Sequence, residues 1–233
     1  CFYYKKNCIN IFENQDDLNY FTNNKFLNIQ YCYKQNGVGV DTNFFYPSKR
    51  NLNNKINLIM VSRITKEKGV NEYLNLANLF LDNDQFNFYL IGKYEKINNE
   101  DDLFELVNKM HKEKAIIYVP WTSNIKHYYD KAHISVLLSY REGMSAFLME
   151  SLASGLPIIC SNIPSNTEIV KENKNGFLVE AKFSQNIKNI IYQLVENKRV
   201  YSSFSKYSRQ RAIDNFSEDI IMTNFNDIVK EII

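Results

Sequence analysis

Two carboxylates and two cations in this sequence could carry chemistry. Glu142 and Glu150 stand eight apart, a spacing that is uninformative alone, because Glu105/Glu113 and Glu172/Glu180 share it. Context separates the first pair. Glu142 follows a short apolar run and a Ser-Tyr-Arg loop, Gly143 comes next, and Glu150 falls within the following helical stretch. Helical side chains lean toward the N-terminus. Glu150 can therefore reach back to a ligand at the helix start, where a carboxylate can accept two hydrogen bonds from a sugar diol. Gly143 allows close backbone approach, and the free N–H groups of Met144, Ser145, Ala146 and Phe147 can face an anion. The plainer reading is a loop carboxylate and a solvated helix Glu. Arg63 is one of only six Arg and directly follows an apolar run; Lys68 and Gly69 then open a helical pattern. Two cations at the end of a strand, beside a helix start, suit a diphosphate. The alternative is two exposed surface cations.

Other signals fail. Gly37 and Gly39 offer G-x-G, but Thr42 stands where the next glycine belongs and no helix follows, so a hinge turn replaces the dinucleotide fingerprint. No phosphate-binding G-x-x-x-x-G-K-[ST] and no G-x-S-x-G occurs. His111, His127 and His133 lack H-E-x-x-H or Cys partners at ligand spacing, so no metal site is expected. Trp121, the only Trp, suits stacking on a base as well as packing against the body of the protein.

The elements that must position these residues follow a rhythm. Apolar runs at 56–62 (INLIMVS), 86–91 (FNFYLI), 115–119, 134–138, 157–161 and 176–180 read as strands. They are near-continuous rather than alternating, which fits a parallel sheet covered on both faces. Helical patterns lie between and after them: 70–81, 101–114, 147–153, a short one near 166–172, then 185–196, 200–215 and 217–232. The expectation is an α/β fold, a Rossmann-like doubly wound parallel sheet of about six strands. Its ligands should sit at the carboxyl ends of the strands. Loops 62–69, 92, 120–124 and 139–145 should then gather on one rim. Residues 1–45 fall outside the rhythm, with a strand at 8–12, a short helix from Asp16 or Asp17, and a turn at 36–41.

Composition bounds the rest. The 233 residues are 45% hydrophobic and 23% charged, as in ordinary globular proteins. A net charge of +2 gives no reason to expect a nucleic-acid partner. Cys1, Cys8, Cys32 and Cys160 show no paired spacing, so a reduced cytoplasmic chain is expected. No run of residues resembles a spanning helix or a signal peptide. Because the first residue is Cys1 and not Met, the chain reads as an excerpt or a processed product. A lipid-bearing Cys1 gains no support from the residues after it.

The motifs together resemble retaining glycosyltransferase family 4. The resemblance lies in SRITKEKG at 62–69, YREGMS at 140–145, ESLASGLP at 150–157, NGFLV at 175–179 and GVD at 39–41. It covers nearly the whole chain and is specific only in combination. It implies the GT-B fold, two Rossmann-like domains facing across a cleft, of which this chain would be one half. Residues 1–45 would be the tail of the N-terminal acceptor domain plus a hinge. Residues 46–215 would be the C-terminal nucleotide-sugar-binding domain, and 216–233 a helix returning toward the N-terminal domain.

By motif, Arg63 and Lys68 would neutralise the donor diphosphate, Glu150 would bind the ribose hydroxyls, and Glu142 would face the donor sugar. Backbone around Gly143, Met144, Ser145 and Ala146 would hold sugar hydroxyls and phosphate, with Gly92, Trp121 and Thr122 nearer the base. Lys93 after Gly92, and His133, depart from the family's frequent Asp-Gly and Asp. The implied activity is metal-independent transfer of a hexosyl or N-acetylhexosaminyl group from a UDP-sugar, with retention. The implied acceptor is a glycan or a polyprenyl-diphosphate-linked sugar at the inner membrane face, with peripheral membrane association through the missing N-terminal domain. The alternatives are a non-catalytic nucleotide-sugar-binding fragment, and an epimerase or phosphorylase of similar fold.

Overall fold

A computed structural model describes residues 8–95 and 101–232; Cys1 lies outside them. The main sheet contains β3 (Ile56–Val61), β4 (Phe86–Ile91), β5 (Ile117–Val119), β6 (Ile134–Leu137), β7 (Ile158–Ser161) and β8 (Gly176–Val179), after β1 (Asn10–Phe12) and β2 (Cys32–Lys34). The helices are α1 (Gln15–Asn23), α2 (Val70–Asn78), α3 (Asp101–Lys112), α4 (Ile125–Lys131), α5 (Ala146–Ala153), α6 (Pro164–Ile169), α7 (Ser184–Glu196), α8 (Lys198–Phe216) and α9 (Glu218–Ile232).

The six-stranded sheet runs β5-β4-β3-β6-β7-β8 with every pair parallel. The chain winds outward from β3 to β5, returns to the middle, and winds the other way from β6 to β8. The reversal leaves a crevice between the carboxyl ends of β3 and β6, where ligands of such sheets bind. Every residue of β6 and of β7 is buried, as the unbroken apolar runs require of strands covered on both faces. The core is built from these strands and from the inward stripes of the helices, such as Val70, Tyr73, Leu74 and Ala77 of α2.

Two short elements escape the hydrophobic pattern. Helix α4 is seven residues of mostly Lys, His and Tyr with one buried side chain, Tyr129, so it shows no apolar stripe. Strand β2 has three residues, all half-buried, and pairs in parallel with β1. The helix expected near 166–172 starts earlier, because Pro164 takes its first position, where its missing N–H is harmless.

The connection between the two sheets is tightly fixed. Val40 pairs with Ser217, donating its N–H to Phe216 O at 2.8 Å and accepting from Glu218 N at 3.2 Å. Gly39 sits at φ +84°, and a Cβ there would lie 3.1 Å from Glu218 Cα. Just beyond, Arg209 donates to the carbonyls of Thr42, Phe45 and Ala153. Arg50 does the same for Ser48, Tyr129, Ala132 and Ser154. Among the described residues, Cys8, Cys32 and Cys160 are free thiols, and no helix is long and apolar enough to cross a membrane.

Candidate active site

The loop after β3 is built to project cations. Ser62 N–H donates to Ile91 O and Ile64 N–H to Lys93 O, each at 3.0 Å, which extends the β3–β4 pairing past the strand end. Ile64 is buried, so its neighbour Arg63 is turned out into solvent. The loop closes at Gly69, whose φ is +74° and whose absent Cβ would lie 2.0 Å from Leu138 O. Only glycine lets this loop touch the exit of β6. A second tie, Tyr140 N–H to Glu67 O at 2.9 Å, fixes the same contact. The result is that Lys68 Nζ sits 2.7 Å from Glu142 Oε2, with the Glu142 side chain only 8% exposed.

These residues share one cavity of about 410 Å³ at the crevice between β3 and β6. Arg63, Lys68 and Arg141 supply positive charge, and Glu142 and Gly143 form the corner before α5. Pro164 and Ser165, after β7, close one side, and Asn14, Asp16 and Asp17 of the N-terminal segment close another. Glu67 and Glu142 stand among the cations, so a doubly charged anion suits the side that presents Arg63, Lys68 and Arg141 rather than the cavity as a whole. Polyhydroxyl groups fit the Asn and carboxylate walls.

The remaining predicted residues are not in the lining of this cavity. Ser145 caps α5, its side chain accepting from Leu148 N at 3.4 Å. Met144 is buried beneath Gly37, where a Cβ would meet Met144 Cγ at 2.8 Å. Ala146 is exposed at the helix start. Glu150 is half-buried and accepts from the hydroxyl of the fully buried Tyr129 at 2.5 Å. Burial raises its pKa, and the Tyr129 bond partly opposes that shift. At the β4 exit, Gly92 has a structural reason to be glycine, because its Cβ would fall 1.8 Å from Ser62 O. Trp121 is 63% exposed beyond β5, with Lys93 Nζ 5.7 Å from its ring centroid. Thr122 Oγ1 accepts from Asn124 N at 3.0 Å and shapes that loop. Because β5, β4, β3 and β6 lie side by side and parallel, Trp121, Gly92, Arg63 and Glu142 follow one another along a single rim.

Several neighbours had no local signal in the sequence. Glu13 accepts from Met144 N at 3.1 Å across 131 residues, and Asn14 Nδ2 donates to Gly143 O at 3.3 Å. Arg141 is the exception: it is exposed in the loop that carries Glu142, and its place next to Glu142 in the sequence could have suggested it. Tyr129 lies on the unforeseen α4. No group of three His, Cys, Asp or Glu able to hold a metal stands together among the described residues.

Comparison with known proteins shows what the chain resembles. The chain is 27% identical over 161 residues to the Escherichia coli UDP-Gal:alpha-D-GlcNAc-diphosphoundecaprenol alpha-1,3-galactosyltransferase, covering 68% of this chain and 41% of that protein. It is 23% identical over 235 residues to the Campylobacter jejuni N,N'-diacetylbacillosaminyl-diphospho-undecaprenol alpha-1,3-N-acetylgalactosaminyltransferase, covering 96% and 60%. The chain thus spans about half the length of these relatives. In fold it resembles a glycosyltransferase from Rickettsia africae, with a TM-score of 0.83 at 21% identity over 97% of this chain and 64% of the other. It also resembles Anabaena Alr3699/HepE, solved in complex with UDP and glucose, with a TM-score of 0.81 at 17% identity over 95% and 62%. Residues 43–211, which carry the rim from β3 to β8, match the family described as glycosyl transferases group 1; the chain belongs to that family.

Proposed function

We infer that this chain is the donor-binding half of a retaining family 4 glycosyltransferase that uses a UDP-sugar. One observation carries the reading: Arg63, Lys68, Glu142 and Gly143 converge on one cavity at the crevice between β3 and β6. Residues 46–215 would hold the nucleotide-sugar. Residues 1–45 and 216–233 would belong with the acceptor half. The base would lie toward Trp121, Thr122 and Gly92, the ribose near Glu150, and the diphosphate over Arg63 and Lys68. The sugar would lie beside Glu142 and the backbone of Gly143, Met144, Ser145 and Ala146. UDP and UDP-glucose in complexes of the Anabaena protein support a uridine donor. The lipid-diphosphate acceptors named for the two relatives above support an undecaprenol-diphosphate-linked acceptor.

The chemistry follows from charge. Breaking the bond from the anomeric carbon to the phosphate oxygen leaves an electron pair on the diphosphate and oxocarbenium character on the sugar. Arg63 and Lys68 neutralise the first where it develops. Glu142 faces the second, and its present partner Lys68 can turn to the phosphate as the charge grows there. This assigns the leaving-group work to side chains of the protein rather than to a metal. The acceptor hydroxyl attacks the same face that the diphosphate leaves, and the departing phosphate oxygen takes its proton, so configuration is retained.

Calorimetric titration with UDP, GDP and uridine tests the site. UDP should bind below millimolar, and Arg63→Ala should weaken UDP about tenfold or more while leaving uridine nearly unchanged, as loss of a charge-assisted contact implies. A folded protein with no affinity for either diphosphate, or equal losses for UDP and uridine, would remove the diphosphate role.

A further inference from the structure

The N–H groups at the start of α5 are not all open. Glu13 Oε2 accepts the Met144 N–H at 3.1 Å, and the space it uses exists because residue 143 is glycine: a Cβ there would lie 2.6 Å from the same oxygen. The segment carrying Glu13 is laid across this corner by further bonds. Asn14, almost wholly buried, donates to Gly143 O at 3.3 Å, and Gln15 N–H donates to Glu168 Oε1 of α6 at 2.7 Å. Lys34 of β2 pairs with the same Glu168. Asp16 and Asp17 line the cavity opposite Arg63, Lys68 and Arg141. An acidic turn from outside the six-stranded sheet thus shares the cavity with Arg63, Lys68 and Arg141, and one of its carboxylates holds a backbone donor at the Gly143 corner.

We propose that Glu13 is an internal competitor of the donor, a carboxylate that occupies the Met144 N–H until a phosphate or sugar oxygen replaces it. The inference rests on the donor-site reading above and adds to it a residue from the N-terminal segment. One N–H cannot serve two anionic oxygens at full strength, and a diphosphate on the cationic wall repels Glu13, Asp16 and Asp17. Arrival of the ligand therefore lifts the turn off the corner. Contact between the N-terminal segment and the donor site becomes a function of occupancy, with no change needed in the six-stranded sheet.

The experiment compares wild type, Glu13→Ala and Glu13→Gln by calorimetry with UDP, inorganic pyrophosphate and uridine. Hydrogen exchange of residues 13–17 is followed with and without saturating UDP. Glu13→Ala should tighten UDP and pyrophosphate about threefold to tenfold, the net worth of one ordinary hydrogen bond, and leave uridine unchanged. Glu13→Gln, which keeps an acceptor but loses the charge, should give part of that gain. UDP should speed exchange at Gln15 in the wild type. If UDP binds the wild type but Glu13→Ala leaves its affinity unchanged or weakens it, the competitor role is wrong while the donor site stands. If neither UDP nor pyrophosphate binds wild type or variants, the donor site itself is wrong and the competitor falls with it.

Discussion

Replacing Tyr129 with Phe isolates one bond at the half-buried carboxylate assigned to the ribose. The Tyr129 ring packs edge-on against Phe45 at 5.2 Å and tilted against Phe147 at 6.2 Å, and Phe keeps both contacts. Only the hydroxyl bonded to Glu150 at 2.5 Å disappears. A hydrogen bond to a charged group is worth about 1.5–3 kcal/mol, and one to a neutral group about 0.5–1.5 kcal/mol. For a chain of this length each kcal/mol shifts Tm by about 2–4 °C, so the variant should melt about 3–12 °C lower at pH 8. The pH dependence has a definite sign. Burial raises the folded pKa of Glu150 above its ordinary value of 4.5. The folded state therefore holds the proton longer than the unfolded state, and stability is lost as pH rises from the ordinary value through the folded one. Losing Tyr129 removes a bond that favours the charged form, so the folded pKa climbs further. The penalty of Tyr129→Phe should thus be larger at pH 8 than at pH 5. Urea unfolding at both pH values, with Glu150→Gln and the double variant, closes the cycle. A penalty that is the same at both pH values and unaffected by Glu150→Gln would refute the reasoning.

Two more expectations follow. Gly69→Ala combines a left-handed backbone, at about 1–2 kcal/mol, with a Cβ 2.0 Å from Leu138 O. It should lose about 3 kcal/mol or more and weaken UDP binding; a thermal melt within about 2 °C of wild type would contradict this. His133 accepts from Asn57 N through Nδ1 at 3.1 Å, and burial lowers its pKa to about 4. The unfolded chain then takes up a proton that the folded state refuses, so stability should drop as pH falls from about 6.5 to about 4. His133→Asn should flatten that part of the stability–pH curve, and an unchanged acid slope would assign it elsewhere.

Much of this architecture is legible in sequence because a parallel sheet covered on both faces needs continuous apolar strands, and INLIMV and FNFYLI supply them. The chemistry-bearing loops follow directly, since a parallel sheet puts all its carboxyl ends on one rim. What escapes is whatever depends on distant approach. Gly69 reads as a helix opener and Gly92 as a ligand contact, and neither reading reveals that their backbones must also clear Leu138 O and Ser62 O. Glu13 carries no local sign that it will meet Met144. The Lys68–Glu142 pair joins two residues whose side chains point to a shared crevice only after two loops have been drawn together.

The pairing of Val40 with Ser217 has a mechanical consequence. Two passages of the chain are bonded side by side at one rung. A torque on the small β1–α1–β2 unit cannot be absorbed below that rung, where Arg209 and Arg50 pin the following backbone through seven carbonyl contacts. Between the rung and β2 lie Gly37 and Gly39, both at positive φ. The small unit is thus held at two places, this rung and the bonds of Asn14, Gln15 and Lys34 to the Gly143 corner and Glu168, so that releasing the second set leaves it hinged on the first.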